Sequence, residues 1–444
     1  MKTESGAEAG ERGHDLSLWP TTALVVGHTI GVGVFLTPAE ILGTLASPRW
    51  VLALWVGVSA LVLCGAMTFG ELAARVPAGG GLYAYIRRAW GGRLAALYGW
   101  QCLLVLDPGI TGALAAGLAG YAAILLPGRS VAPRWIAIAA IWTLAVPPLL
   151  GLRAGARFIS VLTALKLAII AAFVLLAFAG GAGDWSRVLA PATRPHGAKP
   201  LGEALAIGIV GVFYSFGGFW EAARVADRVR DPRRTAARAL LLGVGATALA
   251  YVATTVAFLY LVPAAAVTDP AAFATRAGTA LLGARGPAVL AAAIVLSAAG
   301  SAAALLLMAP HMYLAMAGDG ALPRRLVRSD ARPSRPARGT ILLAVLASVL
   351  ALAGSFRQIV GFFMFPMLLF LIAAAAALFR LRRDEPVSPG FRAPLYPLTP
   401  VLFLVLLAGV AAAVAAAQPI PALAGTLVVL AAGAAHGLLR RRAG

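Results

Sequence analysis

Apolar runs of about 20 residues recur roughly twelve times along this chain, and nothing else in the sequence constrains its fold as strongly. A run of that length lets an α-helix cross ~30 Å of hydrocarbon, and a backbone in lipid must satisfy its own hydrogen bonds. The runs cover residues 20–44, 50–74, 92–126, 134–151, 157–180, 203–226, 236–262, 285–317, 340–354, 357–380, 399–417 and 421–438. We number them spans 1 to 12. With 61% hydrophobic and only 12% charged residues, little chain is left over for a water-soluble domain. The expected class is an all-α integral membrane protein embedded in a lipid bilayer.

The net charge of +20 would suit a nucleic-acid ligand if the cations shared one face. They alternate between loops instead. With the N-terminus inside, 27 of the 37 Lys and Arg fall in cytoplasmic segments. This positive-inside bias predicts a multi-pass protein of the cell (inner) membrane with both termini cytoplasmic, and no nucleic-acid partner. The first 18 residues carry Glu4, Glu8, Glu11 and Asp15 beside Lys2 and Arg12, unlike the basic start of a cleaved signal peptide. They read as a cytoplasmic tail, and span 1 directs insertion. Cys64 and Cys102 lie inside apolar runs, where a small buried hydrophobe is the expectation.

Two spans carry glycine-rich interruptions at mid-membrane depth. Span 1 reads Gly27-His28-Thr29-Ile30-Gly31-Val32-Gly33-Val34-Phe35, and span 6 reads Tyr214-Ser215-Phe216-Gly217-Gly218-Phe219-Trp220. Each interior Gly weakens a helix by about 0.5–1 kcal/mol relative to Ala, so both clusters favour local unwinding. An offset of five makes spans 1 and 6 antiparallel, as in an inverted repeat with discontinuous helices around a substrate site. The expected layout is a tail (1–18), a first five-helix unit (19–180), a second (181–380), and a final pair of helices with the C-terminus (381–444).

Unwinding releases N–H groups at the start of one half-helix and carbonyls at the end of the other. An amino acid carries the complementary pair of charges. Its carboxylate suits the amides around Val32 and Gly33, and its ammonium suits carbonyls near Thr29, Tyr214 and Phe216. The expected substrate-binding set is Thr29, Ile30, Gly31, Val32 and Gly33 in span 1 with Tyr214, Ser215, Phe216 and Gly217 in span 6.

These residues resemble the amino acid–polyamine–organocation superfamily of transporters, most closely its L-type and basic amino-acid branches. Residues 27 to 35 match the family's G-x-x-I-G-[SA]-G-[IV]-F except at Val32. Gly70-Glu71-Leu72, Pro77, Gly80, Gly81, Tyr83 and Tyr85 are similar to its E-L-x-x-x-x-P-x-x-G-G-x-Y-x-Y turn. The similarity continues through Phe216-Gly217-Gly218, Asp231-Pro232-Arg233-Arg234, Ser297-Ala298-Ala299-Gly300-Ser301 and Ala317-Gly318-Asp319-Gly320-Ala321-Leu322-Pro323. Val32, Asp227-Arg228 and Gly318 depart from the pattern. The resemblance implies the LeuT-type fold, a 5+5 inverted repeat within twelve transmembrane helices, and alternating access by rocking of spans 1, 2, 6 and 7. It also implies that Tyr214 is a gating aromatic. Lys166, with Ser297 and Ser301, would stand where sodium-coupled relatives hold a cation between spans 1 and 8.

Ionisable groups at membrane depth are expensive and usually functional. Lys166, in the middle of span 5, is expected to be either a fixed strut or a titrating proton carrier. Asp107 before Pro108 is expected to face a polar interior, touching substrate or pairing with Lys166 or another cation. Phe219, Trp220 and Glu221 are candidates for selectivity or gating, whereas His28 reads as a packed, hydrogen-bonded ring.

The leading expectation is a sodium-independent amino-acid transporter, either an exchanger or a proton-coupled symporter. A polyamine or amine carrier is the alternative, along with a transport-free membrane sensor of the same fold. No HExxH, GxSxG or clustered His/Asp motif points to an enzyme, a cofactor or a metal site.

Overall fold

The computed structural model describes residues 16–126, 131–181, 183–188, 199–263, 270–327, 336–353, 356–387 and 390–443. Within them the chain is a helical bundle, joined by one short backbone bridge between Leu16 and Val229. Its first half comprises α1 (Leu18–Thr29), α2 (Gly33–Leu45), α3 (Pro48–Arg75), α4 (Leu82–Trp90), α5 (Gly92–Gln101), α6 (Asp107–Ile124), α7 (Pro133–Leu150), α8 (Leu152–Ala179) and α9 (Trp185–Val188). The second comprises α10 (Leu201–Ser215), α11 (Pro232–Leu261), α12 (Pro270–Leu282), α13 (Gly286–Gly318), α14 (Ala337–Ala353), α15 (Phe356–Asp384), α16 (Leu398–Ala417) and α17 (Pro419–Ala443).

Ten helical stretches among the described residues are long and apolar enough to cross a membrane. They coincide with spans 1 to 8, 10 and 11; the apolar helices at spans 9 and 12 are shorter, over 337–352 and 419–435. The bundle is apolar on its outside as well as in its core. Leu165 and Leu175 on α8, Leu249 on α11, Val405 on α16 and Leu423 on α17 are all exposed, as a lipid-facing surface requires.

Three local features place the site. α1 stops at Thr29, Ile30 turns extended (φ −76°, ψ 90°), and Gly31 donates its N–H back to the Thr29 carbonyl (2.9 Å) before α2 resumes at Gly33. This is a three-residue inverse γ-turn, which interrupts the ladder of helical hydrogen bonds. α10 stops at Ser215, and Gly218 adopts φ +97°, a conformation that favours glycine, before a 3-10 segment over Phe219–Arg228. Between α5 and α6, Cys102–Leu106 form one wide π turn that ends at Asp107. Pro108 follows; it has no N–H to continue the ordinary ladder, so the widened turn accommodates it.

The two breaks meet because the elements around them are packed together. α1 lies against α8, α11 and α13, while α2 lies against α10. Gly33 makes the last contact possible: a Cβ there would stand 2.6 Å from Ser215 Oγ and 3.2 Å from Ser215 Cα.

Candidate functional site

At the span 1 break, the carbonyls freed by unwinding are claimed by side chains from three other helices. Lys166 of α8 is buried and donates from Nζ to the Gly27 carbonyl (2.9 Å) and to that of Ile30. Ser301 of α13 reaches the same two oxygens, each at 3.0 Å. Ser297, one turn earlier, reaches Ile30 O (3.1 Å) and Gly31 O (2.7 Å). Tyr251 of α11 reaches Thr29 O (2.9 Å) and, across the gap, Ser215 O at the end of α10 (2.6 Å). One hydroxyl proton is thus shared by carbonyls of both breaks. Thr37 of α2 completes the junction, its hydroxyl 2.8 Å from that of Ser215.

His28 Nδ1 lies 3.0 Å from the Ser301 carbonyl, a contact that only an N–H can satisfy, so the proton sits on Nδ1. The far edge of its ring packs on Gly218, where a side chain would collide with it. Span 1 and span 6 therefore interlock a second time at a position that only glycine fits.

The breaks border a cavity of about 60 Å³, room for about four to six water-sized groups. Thr29, Gly31, Val32 and Gly33 line it from one side, and Tyr214, Ser215 and Gly217 from the other. The amides that open α2 have no intrahelical carbonyl to meet, and the last carbonyls of α10 carry the negative end of that helix. Apart from the His28 ring, the rest of the wall is apolar, built by Phe213 of α10, Ile110 and Leu114 of α6, and Phe363, Met364 and Met367 of α15, with Trp220. Val32, Gly33, Tyr214 and Met364 also border a groove of about 1030 Å³ that reaches Glu40, Lys199 and Gln418 at one end of the bundle.

The other end is shut. Arg224, in the 3-10 segment and 2% exposed, forks onto Asp107 through two bonds of 2.8 and 2.9 Å. Tyr313 of α13 donates to the same carboxylate (2.8 Å), and Arg224 is also ion-paired with Glu221, which accepts from Trp220 Nε1 (2.8 Å). Nearer the surface, the Gly80 N–H donates to the Arg224 carbonyl (2.9 Å), and Asp319 holds Arg87 (2.9 Å) and the Tyr83 hydroxyl (3.0 Å).

The sequence-predicted residues therefore divide by position. Seven of the nine substrate-binding candidates line the cavity; Ile30 is buried behind it with its carbonyl held, and Phe216 packs on Trp55 and Tyr251. Lys166, Ser297 and Ser301 converge on the span 1 break. Trp220 lines the cavity, Phe219 packs on Phe69 and Phe403, and Asp107 and Glu221 belong to the Arg224 cluster.

With this geometry in view, the chain matches the amino acid permease family over residues 16–431. It belongs to that family. Its members fall in the amino acid–polyamine–organocation superfamily, so the protein is a membrane transporter of amino acids or related organocations, not an enzyme. An uncharacterized transporter of Mycobacterium tuberculosis (strain ATCC 25618 / H37Rv) is 30% identical over 436 residues, 96% of this chain and 91% of its own. The serine/threonine exchanger SteT of Bacillus subtilis (strain 168) is 26% identical over 393 residues, covering 87% and 88%. The b(0,+)-type amino acid transporter 1 of Homo sapiens is 22% identical over 387 residues, covering 84% and 78%.

Tyr251, Thr37, Arg224 and the apolar wall belong to the site as well, though no sequence motif singles them out. Arg224 had a signal, since a cation only four residues after Trp220 is still at the depth of an apolar segment. Tyr251 and Thr37 had none, because a hydroxyl inside an apolar helix does not announce which backbone it meets.

Proposed function

We propose that this permease is a sodium-independent amino-acid transporter, an exchanger or proton-coupled symporter that works by alternating access. One observation carries the reading: the span 1 carbonyls are already satisfied by Lys166, Ser297, Ser301 and Tyr251, while Val32 and Gly33, where α2 opens, line the cavity. The ammonium of Lys166 does the work of a bound cation. The carboxylate of the substrate takes the amides of Val32 and Gly33, and its ammonium takes the carbonyl end of α10 around Tyr214 and Ser215.

The fold supporting this is a LeuT-type 5+5 inverted repeat in twelve transmembrane helices, residues 19–180 and 181–380 forming the two units. The chain sits in the cell membrane with both termini cytoplasmic, as the distribution of Lys and Arg favours. The groove then opens outward, and the Arg224 cluster closes the cytoplasmic side. Transport requires that closure to part as spans 1 and 6 rock against α6, α8 and α13. A polyamine or amine carrier would need an acid exposed to its second ammonium; Asp107 and Glu221 are instead paired with Arg224.

Counterflow in proteoliposomes, using labelled amino acids with and without sodium and a pH gradient, tests this. The expected result is exchange of at least one amino acid with no sodium present. Strict sodium dependence would overturn the coupling claim, and absence of flux under every gradient would favour a sensor.

A further inference from the structure

We infer that the substrate side chain is compact and uncharged, of about alanine to serine size. This rests on the transport reading above and extends it to the part of the ligand that the helix breaks do not touch. A zwitterion gripped by α2 and α10 must point its side chain at the remaining wall. That wall is Ile110 and Leu114 on α6 with Phe363, Met364 and Met367 on α15, together with Trp220 and the His28 ring. None of these side chains offers a charge.

The two acids near enough to matter are withdrawn. Asp107 lies on α6 one turn before Ile110, yet it is fully buried, forked by Arg224 and bonded by Tyr313. Glu221 adjoins Trp220 but is tied to Arg224 and to the indole N–H. A cationic side chain entering this pocket would lose its water and find no free carboxylate; an anionic one would find no free guanidinium. Burying an uncompensated charge is among the costliest events in a protein interior. A hydroxyl fares better, since Thr29 and Ser215 spend their own protons on backbone carbonyls and keep oxygen lone pairs that can accept one more. The charges at this end of the bundle, Glu40, Lys199 and Glu203, border the outer groove and not the cavity.

Size follows from the same walls. By the same measure about 60 Å³ holds the six non-hydrogen atoms of alanine, while the eight of valine and anything larger must reach into the groove past Met364.

The test is competition against labelled L-alanine counterflow by the purified full chain in liposomes. L-Serine should compete within about threefold of L-alanine, L-valine about tenfold less well, and L-lysine, L-glutamate and putrescine at least about a hundredfold less well. The Ile110→Asp variant should gain L-lysine exchange, and Met364→Ala should improve competition by L-phenylalanine about fivefold; thermal melting of both variants in detergent reports whether they fold. L-Lysine or L-glutamate exchanging as fast as L-alanine in the unaltered protein would overturn this inference while leaving the transport reading intact. Absence of counterflow with every amino acid would overturn both.

Discussion

The two helix breaks face one cavity, yet they are held in opposite ways. At span 1 the exposed oxygens are bound by an ammonium and three hydroxyls from α8, α11 and α13, so cross-helix chemistry fixes the break. At span 6 the break is made by the left-handed conformation of Gly218, and the segment beyond it is anchored by charge, through Arg224 on Asp107. Both breaks expose backbone to a ligand. Only the first has an ammonium bound directly to its carbonyls. The difference teaches that glycine clusters show where a membrane helix can part, whereas the side chains reaching in decide which polar groups remain for substrate.

Removing the anchor beyond span 6 should have the largest effect. Arg224→Met leaves Asp107 and Glu221 buried without their cation, a loss of about 3–5 kcal/mol, visible as a lower melting temperature in detergent and as abolished uptake. Retention of wild-type stability would show that charge does not hold this segment. Next comes the fixed break: Lys166→Ala should insert normally but lose or uncouple uptake, by roughly a hundredfold, as Gly27 and Ile30 lose their charged donor and keep only the serine hydroxyls. Normal pH-dependent transport by that variant in proteoliposomes would remove the distinction between the two breaks. Gly33→Ala, whose added methyl meets Ser215, should cost about 1–3 kcal/mol through overpacking and slow transport about tenfold. Tyr251→Phe touches both breaks through one proton and should weaken transport only several-fold, about 1 kcal/mol.

Hydropathy made the helical bundle legible, because a transmembrane helix is a property of one contiguous segment. The glycine clusters also lay in plain view, and α1/α2 and α10 part at those residues. What stayed hidden needed neighbours from other helices. Arg224 is visible as a cation near the end of span 6, but its partner is not; buried against Asp107 it becomes the tie between the 3-10 segment and α6. Asp107 itself was visible as an acid beside a proline, but its burial depends on the wide turn over Cys102–Leu106, which no local pattern announces. The pocket wall combines α6 and α15, more than 240 residues apart in the chain, so its apolar character emerges only from packing.

The claim at the centre of this account is that the two breaks grip both charges of an amino acid. For whichever amino acid exchanges fastest, competition by its N-acetyl and methyl-ester derivatives against counterflow of the parent tests that claim most directly. The account predicts that neither derivative competes, because one lacks the ammonium for α10 and the other the carboxylate for α2. Competition by either as effective as by the parent amino acid would contradict it.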